Sequence, residues 1–318
     1  MRAVGFWLEV ALARAALAGL RALGPEAASN LGGAVLRFLG PWLPVSTVAE
    51  GNLRRAMPEL DGPARRRIVR AVWENLGRVI AEFPHLAALR PNLQGPGFEI
   101  AGAEIVRALA ARGGPMIFFS AHIGNWEMMP PIAAQYGIAL SSFYRAPANP
   151  RIDALTATLR RRAMGMEVHN FPKGAHGAKA AFAHLARRGY LGILVDQKLN
   201  DGIEARFFGL PAMTTAAPAT LALRFRAPVI PAHVERLGPA RFRLVVEPPL
   251  ALPETGDRAA DIVTLTQAIN DHIEGWVRAR PGEWLWLHRR WPSAEAPPRR
   301  PAAAEVTELP QDERTAHS

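Results

Sequence analysis

An α/β architecture, with a mixed central sheet flanked by helices, is predicted by three features of this 318-residue chain. Short apolar runs of strand length recur between longer stretches with helical periodicity. The last two such runs are separated by a segment containing Gly238-Pro239, which reads as a hairpin and so mixes antiparallel pairing into a crossover-connected sheet. Apolar residues make up 49% of the chain, enough to bury a substantial core as one large domain or at most two.

The elements follow in order. Met1 to Leu23 is rich in apolar residues (Phe6, Trp7, Leu8, Val10, Leu12, Leu17, Leu20), but Arg2, Glu9, Arg14 and Arg21 interrupt what would otherwise be a spanning segment. On a helical wheel these charges share one broad sector and leave an apolar face of Val4, Leu8, Leu12 and Ala15. The pattern predicts a membrane-anchoring helix that lies on the bilayer; an ordinary core helix would carry the same pattern. Glu9 and Arg14 speak against a cleaved signal peptide. A second helix is expected through Leu31 to Leu39, ended by Gly40-Pro41. Residues 1–45 thus form a membrane-associated helical segment, 46–291 an α/β domain, and 292–318, rich in Pro, Ala and charge, a disordered tail.

Within the α/β domain, a basic helical region runs from Gly62 to Leu89, with Ile68, Val72, Leu76, Val79 and Ile80 on its apolar side and a break at Pro84. Strands are predicted at Met116 to Ser120, Ile138 to Phe143, Tyr190 to Val195, Val229 to Val234 and Phe242 to Val246. Helices fill the intervals at Pro150 to Gly165, Gly177 to Arg188, Pro218 to Phe225 and Ala260 to Ala279. No internal repeat is present.

The absence of cysteine excludes disulfides and thiolate chemistry. The net charge of +10 is carried mainly by arginine, clustered at Arg54, Arg55, Arg65, Arg66, Arg67 and Arg70 and again at Arg160, Arg161 and Arg162. Such a surface attracts polyanions: nucleic acid, anionic headgroups or an acidic carrier protein. No zinc spacing, ribonucleoprotein aromatic motif or heptad array accompanies it, so no nucleic-acid partner is expected.

The chemistry concentrates in Ala121-His122-Ile123-Gly124-Asn125-Trp126-Glu127, directly after the first predicted strand. Residues five apart on a regular helix diverge, since each residue turns it by roughly 100°. His122 is therefore placed in the strand-to-helix turn, Gly124 within it, and Glu127 in the first turn of the following helix. There the Glu127 carboxylate would accept the Nδ1 proton of His122 and leave Nε2 free as a general base for an alcohol. A turn histidine followed by a helix-start glutamate that favours the macrodipole would look the same.

With these residues the chain resembles the late acyltransferases of lipid A biosynthesis, the lauroyl and myristoyl transferases of the lysophospholipid acyltransferase superfamily. That family carries a histidine, four residues and then an acidic residue, as His122 and Glu127 do. Further likeness lies in Asn52-Leu53-Arg54-Arg55-Ala56-Met57-Pro58, Phe143-Tyr144-Arg145, Val195-Asp196-Gln197, Phe207-Phe208-Gly209 with Thr214-Thr215, and the closing Trp284-Leu285-Trp286-Leu287-His288-Arg289-Arg290-Trp291. The resemblance implies a glycerolipid acyltransferase-like fold and His122 with Glu127 as a general-base dyad. It also implies acyl transfer from acyl carrier protein to a hydroxyl of a phosphorylated glycolipid, at the cytoplasmic side of an anionic inner membrane. A thioester is already activated, so no cofactor, metal or covalent intermediate is expected.

Other residues are candidates for binding substrate. Arg145 would neutralise a phosphate or hold an oxyanion, or else be a solvated loop charge. Asp196 and Gln197 end an apolar strand, where open sheets present polar groups to a ligand; turn formation is the other reading. Thr215, beside Thr214, would cap a helix or donate to a phosphate. Trp284, Trp286 and Trp291 with Arg289 and Arg290 would suit either a membrane interface or the core. The same dyad would serve a lysophospholipid or aminolipid acceptor, and a non-catalytic protein that binds anionic membranes would share the basic, tryptophan-bearing surface.

Overall fold

The computed structural model describes residues 2–144 and 146–291, with backbone alone for 2–4; Arg145 and the predicted tail at 292–318 lie outside the described residues. Four helices lead: α1 (Arg2–Leu23), α2 (Pro25–Leu39), α3 (Ser46–Ala56) and α4 (Gly62–Glu82). α4 starts where the Asp61 side chain accepts the Ala64 N–H at 2.7 Å, with proline in its first turn. It ends as a short 3-10 helix, Phe83–Ala88, takes over at Pro84, as the proline predicts. α2 lies directly on α4 because Gly32 and Gly77 meet without side chains: a Cβ on Gly32 would stand 2.4 Å from the Gly77 carbonyl oxygen.

The rest is built around β1 (Gly97–Ala101), α5 (Ala103–Arg112), β2 (Met116–Ser120), α6 (Met129–Gln135), β3 (Leu140–Tyr144), α7 (Pro150–Met164), β4 (Phe171–Pro172), α8 (Ala175–Ala186), β5 (Tyr190–Leu194), β6 (Ile203–Phe207), β7 (Leu210–Thr214), α9 (Ala217–Phe225), β8 (Val229–Gly238), β9 (Arg241–Val246) and α10 (Arg258–Ala279). Seven strands form one sheet in the order β1-β9-β8-β2-β5-β3-β4. All neighbours run parallel except the β8–β9 hairpin, which pairs antiparallel as its turn predicts. β6 and β7 form a separate hairpin.

All five predicted strands form, with ends shifted by a few residues at most except for β8, which runs on to Gly238. β1, β4 and the β6–β7 hairpin were not predicted. β1 and β4 are the two edge strands of the sheet, β6 alternates exposed polar with buried apolar residues, and β7 carries Pro211, a residue disfavoured within strands.

The pleat sorts the core into two layers. Ile117, Phe119, Leu191, Ile193 and Val229 face one side and pack with residues of α3, α4, α8, α9 and α10. Met116, Phe118, Ile230 and Ala232 face the other, against α5 and α6. The sheet is thus covered on both faces, as parallel sheets require.

A buried carboxylate ties the leading helices to the sheet. Glu82, at the end of α4, is 0% exposed. It accepts hydrogen bonds from Ser29 Oγ of α2 at 2.6 Å, Asn125 Nδ2 at 2.8 Å and the Ala240 N–H at 3.1 Å. Arg236 of β8 meets both its oxygens, at 2.5 and 2.9 Å. Such a pair adds little over an apolar core but is costly to break. Glu82→Ala strands the Arg236 guanidinium and is expected to lower stability by about 3–5 kcal/mol, measured by urea unfolding.

Candidate active site

β2 delivers the chain to the carboxyl edge of the sheet and then turns sharply. The Ile123 N–H donates to the Ala121 carbonyl oxygen at 2.8 Å, and Gly124 takes a φ of 57°, in the left-handed region. No other residue fits there, because a Cβ on Gly124 would fall 1.8 Å from the Val234 carbonyl oxygen. The loop lacks regular structure, and bonds from distant segments hold it instead. The Gly124 N–H donates to the Glu283 carbonyl oxygen at 3.1 Å, and the Leu285 N–H donates to the His122 carbonyl oxygen at 2.9 Å. Asn75 Nδ2 reaches the Gly124 carbonyl oxygen at 2.9 Å, and Asn125 is fixed on Glu82 as described.

The imidazole of His122 is oriented by Asp196, two residues past the end of β5. Asp196 Oδ1 stands 2.8 Å from His122 Nδ1. Oδ2 accepts the His122 N–H at 2.9 Å and Trp284 Nε1–H at 2.8 Å. Burial, with 1% of Asp196 exposed, would raise its pKa, but the facing His122, its hydrogen bonds and His288 outweigh this and hold the carboxyl well below the usual range. An ionised carboxylate accepts and does not donate, so the Nδ1 of His122 carries a proton, and in the neutral imidazole Nε2 is the acceptor. Trp126 packs edge-on against the imidazole with ring centres 5.2 Å apart.

Glu127 does not orient His122, contrary to the expectation from spacing. Residues 126–128 form a 3-10 turn that leads into α6, and the Glu127 carboxylate there binds Arg160 of α7 in a two-pronged pair, at 3.0 and 2.7 Å. Burial opposes the charge of Arg160, but the hydrogen bond and charge of Glu127 raise its pKa above the ordinary value. Arg160, read from sequence as part of a surface cluster, thus belongs to the site.

His122, Glu127 and Arg160 share one cavity of about 360 Å³. Its apolar wall includes Leu86, Met129, Pro130, Ala163 and Met164, and its polar wall Ser142, Asn170, Lys173 and Gln197. Of the candidate substrate-binding residues, Gln197 lines this cavity, and its Oε1 lies 3.4 Å from Lys173 Nζ. Asp196 does not, because both its carboxylate oxygens are spent on His122 and Trp284. Thr215 is also absent from the lining, and it does not cap α9, whose N-cap is Ala216; its Oγ1 accepts the Ala217 N–H at 3.3 Å just ahead of the helix. Among the described residues, no cluster of three or more His, Asp or Glu side chains is placed to hold a metal ion.

The tryptophans of the closing segment lie in the core, while Arg289 is exposed. Trp284, Trp286, Arg290 and Trp291 are buried. Asn52 of α3 donates to the carbonyl oxygens of Trp286 and His288 at 2.9 and 2.7 Å, which joins the first motif to the last. His288 Nε2 stands 3.2 Å from the Asp196 carbonyl oxygen, and burial lowers its pKa. Arg290 bonds the Met213 carbonyl oxygen and Thr214 Oγ1, and burial pushes its pKa down to about 10.

Comparison with known proteins places this chain among relatives. The chain matches the family described as bacterial lipid A biosynthesis acyltransferase over residues 1–293. It is 25% identical to the lipid A biosynthesis myristoyltransferase of Escherichia coli (strain K12), over 89% of this chain and 85% of that protein. Identity is 22% to a lipid A biosynthesis acyltransferase of Haemophilus influenzae, over 76% and 74% of the two chains. A phosphatidylinositol mannoside acyltransferase of Mycobacterium tuberculosis is 24% identical, over 60% of this chain and 59% of its own.

Asp196 has a lower pKa folded than unfolded, so its contribution to stability is complete at neutral pH and is lost as pH falls below the ordinary aspartate range. Asp196→Asn is therefore expected to cost about 2–3 kcal/mol at pH 7, with the gap to the unsubstituted protein closing in acid, as read from urea unfolding across pH.

Proposed function

The chain belongs to the bacterial lipid A biosynthesis acyltransferase family, and from that premise we propose that it moves a fatty acyl chain from an acyl carrier protein thioester to a hydroxyl of a lipid A precursor. The observation that carries this reading is an imidazole locked through Nδ1 on Asp196, on a residue that lines a cavity with both apolar and polar side chains. Nε2 takes the proton of the acceptor hydroxyl as its oxygen bonds to the thioester carbonyl carbon. The tetrahedral intermediate then expels the carrier thiolate, which receives that proton from His122. Asp196 stabilises the imidazolium formed between the two steps.

Negative charge develops on the former carbonyl oxygen, and the Gly124 N–H in the adjoining turn cannot meet it, being committed to the Glu283 carbonyl oxygen. Arg160, set on the cavity wall by Glu127, is the cation we assign to that charge. Glu127 thus acts through Arg160. Gln197 and Lys173 at the polar wall suit a phosphorylated headgroup.

We assign the protein to the cytoplasmic side of an anionic inner membrane. No helix among the described residues is long and apolar enough to cross a bilayer. However, Trp7, Phe38 and Trp42 on the leading helical segment are 56%, 72% and 81% exposed, joined by Leu8, Leu12, Leu31 and Leu39. An apolar surface of this extent favours a lipid interface. The net charge of +10 favours both anionic headgroups and an acidic carrier protein.

The likeness to phosphatidylinositol mannoside acyltransferases favours one second reading, in which the acceptor is a hydroxyl of another glycolipid. The test is mass spectrometry of lipid products after incubation with acyl carrier thioesters and each acceptor. A new ester on the lipid A precursor, absent with His122→Ala and slowed on the order of 10³-fold with Asp196→Asn, is the expected result. Ester formation that survives His122→Ala would overturn the mechanism, and transfer to the other glycolipid alone would replace the acceptor.

A further inference from the structure

Gly192 lies in the middle of β5, buried and flanked in register by Phe118 of β2 and Ser142 of β3. Glycine in a strand interior gives up stability and packing, so a position that holds one calls for a reason. Its backbone supplies none, for its φ is not in the left-handed region. Space does. Residues 190, 192 and 194 share one face of the sheet, the face that carries the cavity. Leu194 stands opposite Ser120, two residues before His122, and Gly192 is the next position deeper. Leu194, Gly192 and Ser142 line the cavity, whereas Met116, Tyr190 and Leu140, which make the next row across the sheet, do not.

Resting on the acyl-transfer reading above, we propose that Gly192 is the chain-length determinant of this site: its missing side chain forms the floor over which the acyl chain passes from His122, and the Tyr190–Leu140 row ends that path. Leu86, Met129, Pro130, Ala163 and Met164 supply the apolar lining of the same cavity. A side chain at position 192 would project into this path and shorten it from the deep end, leaving the end beside His122 unchanged.

The nearest atoms the substitution meets belong to side chains and not to backbone. A Cβ at Gly192 would stand 3.0 Å from Leu140 Cδ2 and Cγ and 3.3 Å from Ser142 Oγ, side-chain atoms that can shift. Gly192→Ala is the conservative variant and Gly192→Val the stronger one; if valine fails to fold, alanine carries the test. Two measurements use the full chain. The first is thermal unfolding with a series of straight-chain fatty acids from short to long, which needs no acceptor. The second is kcat/KM for acyl carrier thioesters of the same chain lengths.

Both variants are expected to keep the response to short chains and to lose roughly tenfold or more for the longest chain the unsubstituted protein accepts, the discrimination a misfitted methylene produces. An equal loss at every length, no change at any length, or an unsubstituted protein stabilised by no fatty acid would each overturn the proposal. Chain-length selection that shifts in the binding series while no acceptor is acylated would uphold Gly192 and reject the acyl-transfer reading.

Discussion

A carboxylate removed from water must have its lone pairs used, or it will not stay ionised. Asp196 meets this demand by collecting the backbone N–H and Nδ1 of His122 and the indole N–H of Trp284. Three segments far apart in sequence, the end of β2, the end of β5 and the closing tryptophan-rich stretch, can satisfy it only together. The same bonds that remove the cost of burial fix the imidazole in one orientation and one tautomer. Stability and chemistry therefore rest on a single group.

Glu82 plays the corresponding part on the other side of the loop. It gathers α2, Asn125, Arg236 and Ala240 around one buried charge. Arg236 extends the network to Asn75 Oδ1 at 2.8 Å, and Asn75 returns to the Gly124 carbonyl oxygen. The leading helices thus do more than present an apolar surface: α4 supplies two of the side chains that hold the His122 loop. Residues 122–125 have no ladder of their own and are held from both sides, which gives a loop the rigidity that positioned acid-base chemistry needs.

What was legible in the sequence follows from which signals are local. A run such as Met-Ile-Phe-Phe-Ser can only be a buried strand or a short helical piece, and its length decides. His122 was found because it ends that run. Its partner was not, because local spacing offers Glu127, whereas Asp196 lies 74 residues away. Parallel pairing of β2 with β5 brings the two strand ends together. Both residues follow the carboxyl ends of apolar runs, so the signal existed, but using it required the strand order. Arg160 was hidden in the same way, as one arginine among several in a basic helix until α7 is seen to lie over α6. Trp284 and Trp286 were ambiguous because an aromatic, arginine-bearing stretch has the same composition at a membrane surface and in a core.

The account turns on the His122–Asp196 bond, and nitrogen-resolved NMR of His122 in the folded protein tests it directly. It predicts the Nδ1–H tautomer at neutral pH, with the Nδ1 proton shifted strongly downfield, unchanged in Glu127→Gln and abolished in Asp196→Asn. An Nε2–H tautomer, or an Nδ1 signal that responds to Glu127→Gln and not to Asp196→Asn, would contradict it.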